Sequence, residues 1–164
     1  MTETQELLNA LREQRHTLLI AMRGLSDEQA AARSTVSELT LGGILNHLAH
    51  GERNWTQVLS SGTGEAPPSM FDVEQYKMPR GASVPDLVAA YEAAARATDE
   101  AVERAGLDRV VPLPEAPWEP EVVPRWSVRR IVLHLLRETA QHSGHADIVR
   151  EALDGANTTA QLGT

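Results

Sequence analysis

The sequence predicts an all-α protein, a four-helix bundle with two long connections. Apolar residues recur every three or four positions in four long segments, which is the period of an amphipathic α-helix. No segment alternates apolar and polar residues in the way that a half-buried strand would. Residues that cap or end helices stand at the borders of the long segments. At 164 residues the chain is expected to form a single domain, residues 1–164, with one sizeable core.

The N-terminal part of the sequence contains two long helices and a short one. The first long helix is predicted from about Glu3 to Leu25. Its apolar residues share one face: Leu7, Leu8, Leu11, Leu18, Leu19 and Met22. Ser26, a good N-cap residue, predicts a short helix after it. The second long helix is predicted from its N-cap, Thr40, to about Ser60.

The third long helix follows a connection at 62–82 that is rich in Gly and Pro. Ser83 can cap this helix, and Pro85 suits its first turn. The helix is expected to end near Gly106.

The fourth long helix follows a second connection, which prolines are expected to keep irregular and extended. These prolines are Pro112, Pro114, Pro117, Pro120 and Pro124. Ser127 is the expected N-cap of the fourth helix. The helix is predicted to run to about Leu153 and to terminate at Gly155.

Charge and composition exclude several classes of function. The formal net charge is −8 and no basic patch is present to neutralise phosphates, so a nucleic-acid partner is not expected. The sequence has no cysteine, so a metal site would need nitrogen and oxygen ligands, and a reacting thiol would come from outside the chain. The N-terminus lacks a signal-peptide pattern, and no apolar stretch approaches the roughly 20 residues of a membrane span. We therefore expect a cytoplasmic protein with no membrane partner.

The fourth helix carries ionisable residues on its apolar face. With Glu138 as the reference direction, about 100° per residue puts His142 about 40° to one side, and His145 about 20° and His134 about 40° to the other. The same face otherwise consists of Ile, Leu and Val residues. Ionisable groups are costly in a core unless something satisfies them. A bound divalent metal, another ligand or a buried hydrogen-bond network would do so.

The second helix offers further candidates. His47 lies about 100° from Leu48, at the edge of the apolar face, and can reach the bundle interior. His50 lies about 160° from Leu48 and is expected to face solvent or another chain. Glu52, near the centre of the apolar face, is a candidate outer-shell partner of a metal site. A Glu and a His at positions i and i+4, with a His from a facing helix, would form a three-ligand site with open positions, suited to zinc, nickel or iron.

The three tryptophans are weaker evidence for a site than the ionisable residues. Trp55 is expected in the core, because it lies on the apolar face of the second helix. Trp118 and Trp126, in and beside the proline-rich connection, are expected either to pack against the bundle or to line the mouth of a site.

Two motifs resemble a known family. The run LNHLAHGERNW at 45–55 resembles the second-helix signature of the DinB/YfiT-like superfamily, and WSVRRIVLHLLRETAQHSGHADIVRE at 126–151 resembles its fourth helix. The resemblance spans nearly the whole chain in helix order. The variant is similar to an actinobacterial subgroup that includes mycothiol-dependent maleylpyruvate isomerase.

The resemblance implies a four-helix bundle, often a homodimer, with a divalent metal held between the second and fourth long helices. It assigns the metal ligands to His47, Glu138 and His142, with Glu138 in the place of an imidazole that many members use. His145 stands where many relatives carry Gln, which suggests a substrate-facing or outer-shell group. Characterised members use low-molecular-weight thiols such as mycothiol.

We therefore expect a divalent-metal-dependent enzyme, with zinc foremost and nickel or iron as alternatives. It would activate a mycothiol-type thiol for transfer of its sulfur to a small-molecule electrophile, or for an isomerisation. His145 or His134 would act as the catalytic group that orients the incoming molecule or moves a proton. Two alternatives remain open: a non-catalytic metal- or ligand-binding stress-response module, and a hydrolase that uses metal-activated water.

Overall fold

The computed structural model describes residues 1–117 and 124–162, and it confirms the all-α bundle. The long helices are α1 (Glu3–Ile20), α3 (Leu41–Ser61), α4 (Val84–Ala105) and α5 (Val128–Asp154). The short elements are α2 (Asp27–Ala31), α6 (Thr158–Gln161) and a 3₁₀ turn at Val73–Tyr76. Within the described ranges, no helix is long and apolar enough to cross a membrane. Trp118 lies outside the described residues, so the expectation for it is not addressed.

The predicted helix starts are confirmed by their caps. The side-chain oxygens of Ser26, Thr40, Ser83 and Ser127 each accept a hydrogen bond from the backbone N–H three residues later. These bonds satisfy amide groups that have no partner inside the helix. Gly155 follows the last residue of α5 with a φ of 78°, as a left-handed C-cap requires. The local sequence therefore determines these boundaries.

The end of α1 was predicted wrongly. The helix ends at Ile20 rather than near Leu25. The chain tightens into a turn, and the carbonyl oxygens of Ala21 and Arg23 each accept a hydrogen bond at 2.8 Å from Arg150 of α5. The last carbonyls of the helix accept hydrogen bonds from backbone N–H groups within this turn, and the distant guanidinium satisfies two carbonyls beyond the helix end.

A short β-ribbon also departs from the prediction, which contained no strand. Strands β1 (Val110–Pro112) and β2 (Arg125–Ser127) pair antiparallel, with Val111 opposite Trp126. Three-residue strands are too short to show an alternating pattern in the sequence. The ribbon leads directly into α5 and sets Trp126 beside the first turn of that helix.

The core consists of two apolar clusters with a polar layer between them. The first cluster is centred on Leu8, Leu11, Val58, Val102, Ile131 and Leu135. The second is centred on Leu18, Ile44, Leu45, Tyr91, Ala146 and Val149. Each long helix carries buried polar residues between these two sets, among them Arg15, Glu52, Thr98, Thr139 and His142. The candidate site lies in this layer, where α3 packs against α5.

Candidate metal centre

Three of the candidate residues converge between α3 and α5. His47 comes from α3, whereas Glu138 and His142 come from adjacent turns of α5. One ligand atom of each residue lies within 4.8 Å of those of the other two. The Nε2 atom of His142 is 3.9 Å from Oε2 of Glu138. The i, i+4 spacing places both α5 side chains on one face, and the packing of α3 supplies the third.

The protonation of the two histidines suits metal binding. Both rings are almost fully buried, at 9% exposure for His47 and 8% for His142. Burial lowers the pKa of His47. Burial, followed by the neighbouring His47 and His145, lowers the pKa of His142 to about 4. Two neutral imidazoles with one carboxylate form a nitrogen–oxygen donor set that fits zinc, nickel or iron.

The carboxylate of Glu138 is held from the outer side. Nη2 of Arg137 donates to its Oε1 at 3.1 Å, and the Glu138 side chain is 27% exposed. Oε2 is the oxygen nearer to His142. One oxygen is thus engaged by a surface cation while the other faces the cluster.

Gln75, in the 3₁₀ turn of the 62–82 connection, contacts the ring of His47. Its Oε1 lies 3.3 Å from Nδ1 of His47, and the ring of Tyr76 stacks on the same imidazole at 4.0 Å. Neither residue was predicted from the sequence. The only signal was Asp72 three positions before Gln75, a spacing typical of a capped helical turn, which does not indicate the side-chain direction.

His145 lies outside the cluster of three. Its Nδ1 is 3.4 Å from Nδ1 of His142, on the side of that ring away from Glu138. A partner at this position suits an outer-shell role toward His142. His145 does not line the cavity described below.

His134 does line the cavity, on the side of the two tryptophans. Arg137 donates to its Nδ1 at 2.9 Å, and because arginine has no acceptor, the proton of the neutral ring sits on Nε2. Burial lowers the pKa of His134, which favours this neutral form. The rings of Trp55 and Trp126 contact the imidazole in T-shaped arrangements, with centroid distances of 4.8 and 5.5 Å. His134 is therefore placed as a neutral N–H donor.

A cavity of about 260 Å³ adjoins the cluster. Its walls are mainly apolar, and they include Leu48, Trp55, Met70, Phe71, Tyr76 and Leu135. His47, His134 and Glu138 supply polar groups on the same walls. Trp55 was expected in the core; it packs against the first apolar cluster but also lines this cavity and stacks on Trp126 at 5.3 Å.

Two other candidates from α3 lie apart from the cluster. His50 is half-buried rather than fully exposed, and within the described part of the chain its Nδ1 is buried without a hydrogen-bond partner. The expectation that Glu52 is an outer-shell partner is wrong. Its carboxylate receives hydrogen bonds from Arg15 at 2.7 and 3.0 Å and another from Thr98. Helical phase indicated that Glu52 is buried, but its partners come from α1 and α4.

Comparison with known proteins bears on the fold and the family. The crystal structure of a conserved protein from Enterococcus faecalis is similar, with a TM-score of 0.71, 14% sequence identity, and coverage of 95% of this chain and 99% of that one. At this identity the likeness shows the fold. The comparison with curated proteins gives no significant match. The family model described as mycothiol-S-transferase matches residues 6–155, nearly the whole bundle, including the α3 and α5 motifs. The chain therefore belongs to the mycothiol-S-transferase family, in agreement with its resemblance to the DinB/YfiT-like superfamily.

Proposed function

We propose that this protein is a divalent-metal-dependent enzyme that joins a mycothiol-type thiol to a small electrophile. One observation carries the proposal: the donor cluster of His47, Glu138 and His142 borders an apolar cavity of about 260 Å³. The family match supports a thiol as one partner. The chain has no cysteine of its own, so the reacting sulfur belongs to a small molecule.

The three residues would hold the metal and leave coordination positions open for a ligand. A divalent cation, with zinc preferred over nickel or iron, would act there as a Lewis acid that lowers the pKa of an incoming thiol. The neutral rings of His47 and His142 would present lone pairs without prior loss of a proton. Arg137 would hold Glu138 in place through its outer oxygen.

The transfer itself exchanges one bond for another. The thiol releases its proton to solvent, and a sulfur electron pair forms a bond to an electrophilic carbon. The bond from that carbon to its leaving group breaks, and the leaving group takes the electron pair. His134, as a neutral N–H donor on the cavity wall, would hydrogen-bond to the negative charge that develops there. His145 would act on His142, not on the substrate.

The cavity indicates the class of electrophile. Trp55, Met70 and Phe71 contribute apolar walls, and His134 and Glu138 are among the few polar groups on those walls. Such a site favours a small, largely apolar molecule with one reactive centre. Bulkier or strongly charged electrophiles would be poor substrates.

The test is an assay of mycothiol consumption with a small aryl halide, after metal analysis of the purified protein. We expect about one equivalent of metal per chain, activity that requires both metal and thiol, and loss of activity in His142→Ala. Turnover without thiol would favour the hydrolase. Stoichiometric metal without turnover of a panel of electrophiles would favour the non-catalytic module. Full activity after removal of the metal would overturn the proposal.

We also propose that residues 1–164 act as one domain in a cytoplasmic homodimer. The two apolar clusters share α1, α3, α4 and α5, which supports a single folding unit. The homodimer is an expectation from the family resemblance, and the location is an expectation from the sequence. Light scattering should give twice the 17.9 kDa chain mass, and a monomer at micromolar concentration would contradict the dimer.

A further inference from the structure

We propose that residues 70–78, here called the His47 strap, form a positioning element that fixes which nitrogen of His47 is offered to the metal. The inference rests on the proposed function in taking His47 as a ligand. The strap includes the 3₁₀ turn and lies across the side of α3 that carries His47. Its residues were not among the candidates from the sequence.

Gln75 sets the tautomer of His47. The side-chain Nε2 of Gln75 donates to the carbonyl oxygen of Met70 at 3.3 Å, so its Oε1 is the atom that faces Nδ1 of His47. An amide oxygen only accepts, and Nδ1 must therefore carry the proton. The lone pair of the neutral ring is left on Nε2. A backbone carbonyl thus determines the orientation of an amide, and the amide determines the nitrogen available to the metal.

Tyr76 restrains the same ring from its face. The two rings stack with centroids 4.0 Å apart and an angle of 17° between their planes. Gln75 contacts the edge of the imidazole while Tyr76 covers one face, so the two successive strap residues limit both its tautomer and its rotation.

Asn46 fastens the strap to α3. Its Nδ2 donates to the backbone carbonyl oxygens of Gln75 and Lys77, each at 3.0 Å. These carbonyls flank Tyr76, so both strap residues that touch His47 are held by the residue that precedes it in the sequence. Asn46 is 7% exposed, and these two hydrogen bonds satisfy its buried amide, which would destabilise the fold if it had no partner.

Two glycines allow the strap to lie this close. A Cβ added to Gly43 would collide with the carbonyl oxygen of Tyr76, and one added to Gly42 would collide with the sulfur of Met78. Glycine is a much poorer helix former than alanine. Consecutive glycines in the first turn of α3 are explained by the close approach of the strap rather than by helix formation.

The test compares Gln75→Met with Gln75→Glu. Methionine keeps the length of the side chain and removes the acceptor, whereas a carboxylate keeps an acceptor for Nδ1–H. Zinc affinity is measured by competition with a chromophoric chelator. The His47 tautomer is read from ¹⁵N NMR of the metal-free protein at pH 7.5. Gln57→Met, on the exposed side of α3, is the matched control.

We expect Gln75→Met to bind zinc about 10–100-fold more weakly and to show a mixture of His47 tautomers. Gln75→Glu should keep a single tautomer and stay within about threefold of the wild-type affinity. If Gln75→Met does not fold, Gly43→Ala provides the second variant, because it displaces the strap without removing a polar group. Gly43→Ala should weaken zinc binding, as Gln75→Met does.

Two results would overturn the proposal: a single Nδ1–H tautomer in Gln75→Met, or equal losses of affinity in the Met and Glu variants at unchanged thermal stability. Failure of the proposed function gives a different result. In that case the wild-type protein would bind no metal or show no thiol transfer. The NMR comparison would still decide whether Gln75 controls the His47 tautomer.

Discussion

Two buried polar clusters occupy the same layer of the bundle, and they differ in how completely their groups are satisfied. In the first, here called the Arg15 cluster, Arg15 donates to both oxygens of Glu52 and, at 2.8 Å, to Asp99. In the second, the candidate metal centre, Glu138 and His142 approach only to 3.9 Å, beyond hydrogen-bond distance. The Glu52 side chain is 2% exposed, whereas that of Glu138 is 27% exposed.

The difference separates a structural role from a binding role. The groups of the Arg15 cluster are satisfied by one another across α1, α3 and α4, so nothing further is needed. In the metal centre the donor atoms lie near one another, but Glu138 and His142 are not hydrogen-bonded to each other. The surrounding contacts to the three residues come from Gln75, Arg137 and His145. Donor atoms that do not satisfy one another are suited to binding a ligand. Variants should therefore affect stability in one cluster and metal binding in the other.

The largest loss of stability is expected when one charge of the Arg15 cluster is removed. Glu52→Gln keeps the side-chain volume but leaves the buried guanidinium of Arg15 without its main counter-charge. Loss of one partner of a buried ion pair costs about 3–5 kcal/mol, and we expect the lower end because Asp99 still pairs with Arg15. Urea denaturation of the metal-free protein measures the free energy of unfolding.

The control for this prediction is an exposed pair. Arg33 and Glu38 form an ion pair in which the Glu38 side chain is 86% exposed. Glu38→Gln should change the free energy of unfolding by less than about 1 kcal/mol. If Glu52→Gln is no more costly than Glu38→Gln, the Arg15 cluster does not have the structural role assigned to it.

A smaller loss of stability is expected when the metal-free protein is brought to low pH. The pKa of His142 is lowered to about 4 in the folded state, chiefly by burial, against about 6.5 in the unfolded chain. Between these values the unfolded state binds a proton that the folded state does not, so stability is full above pH 6.5 and falls as the pH drops toward 4. The loss should be roughly 2–3 kcal/mol, and the lowered pKa values of His47 and His134 act in the same direction.

Denaturant titrations from pH 7.5 to 4.5 test this sign. His142→Gln removes the titrating ring and should lose less stability over that range than the wild-type protein. Parallel curves for the two proteins would show that the burial of His142 does not carry the effect. Saturating zinc should steepen the loss of stability at low pH, because protons then compete with the metal for the same nitrogens.

Much of the fold was predictable because its signals are local. Ser83 and Ser127 cap helices through bonds to residues three positions away, and such spacings are visible in the sequence. The end of α1 was not predictable, since the turn that follows it is held by Arg150 of α5, which bonds two carbonyls of that turn from the far end of the chain. The β-ribbon escaped prediction because its strands have three residues each.

The site shows the same division. Glu138 and His142 share a helix face by spacing alone, and helical phase brought His47 within reach of the interior. Their assignment as ligands came from the family resemblance. Gln75 was beyond prediction, because its position depends on how a connection packs onto α3. The role of Glu52 was predicted wrongly for a related reason: periodicity indicates burial, but the partners of a buried group are set by tertiary packing.

The smallest effect is expected at the outer contact of His142. If Nε2 of His142 serves the metal, its Nδ1–H donates to Nδ1 of His145, and the 3.4 Å separation indicates a weak bond. His145→Ala should therefore lower zinc affinity about 10-fold, the low end for an outer-shell partner. His145→Gln, which supplies an amide oxygen as acceptor, should restore most of it. Gln141→Ala, exposed on the same helix, should leave affinity unchanged. Equal losses in His145→Ala and His145→Gln would show that His145 packs against His142 without orienting it.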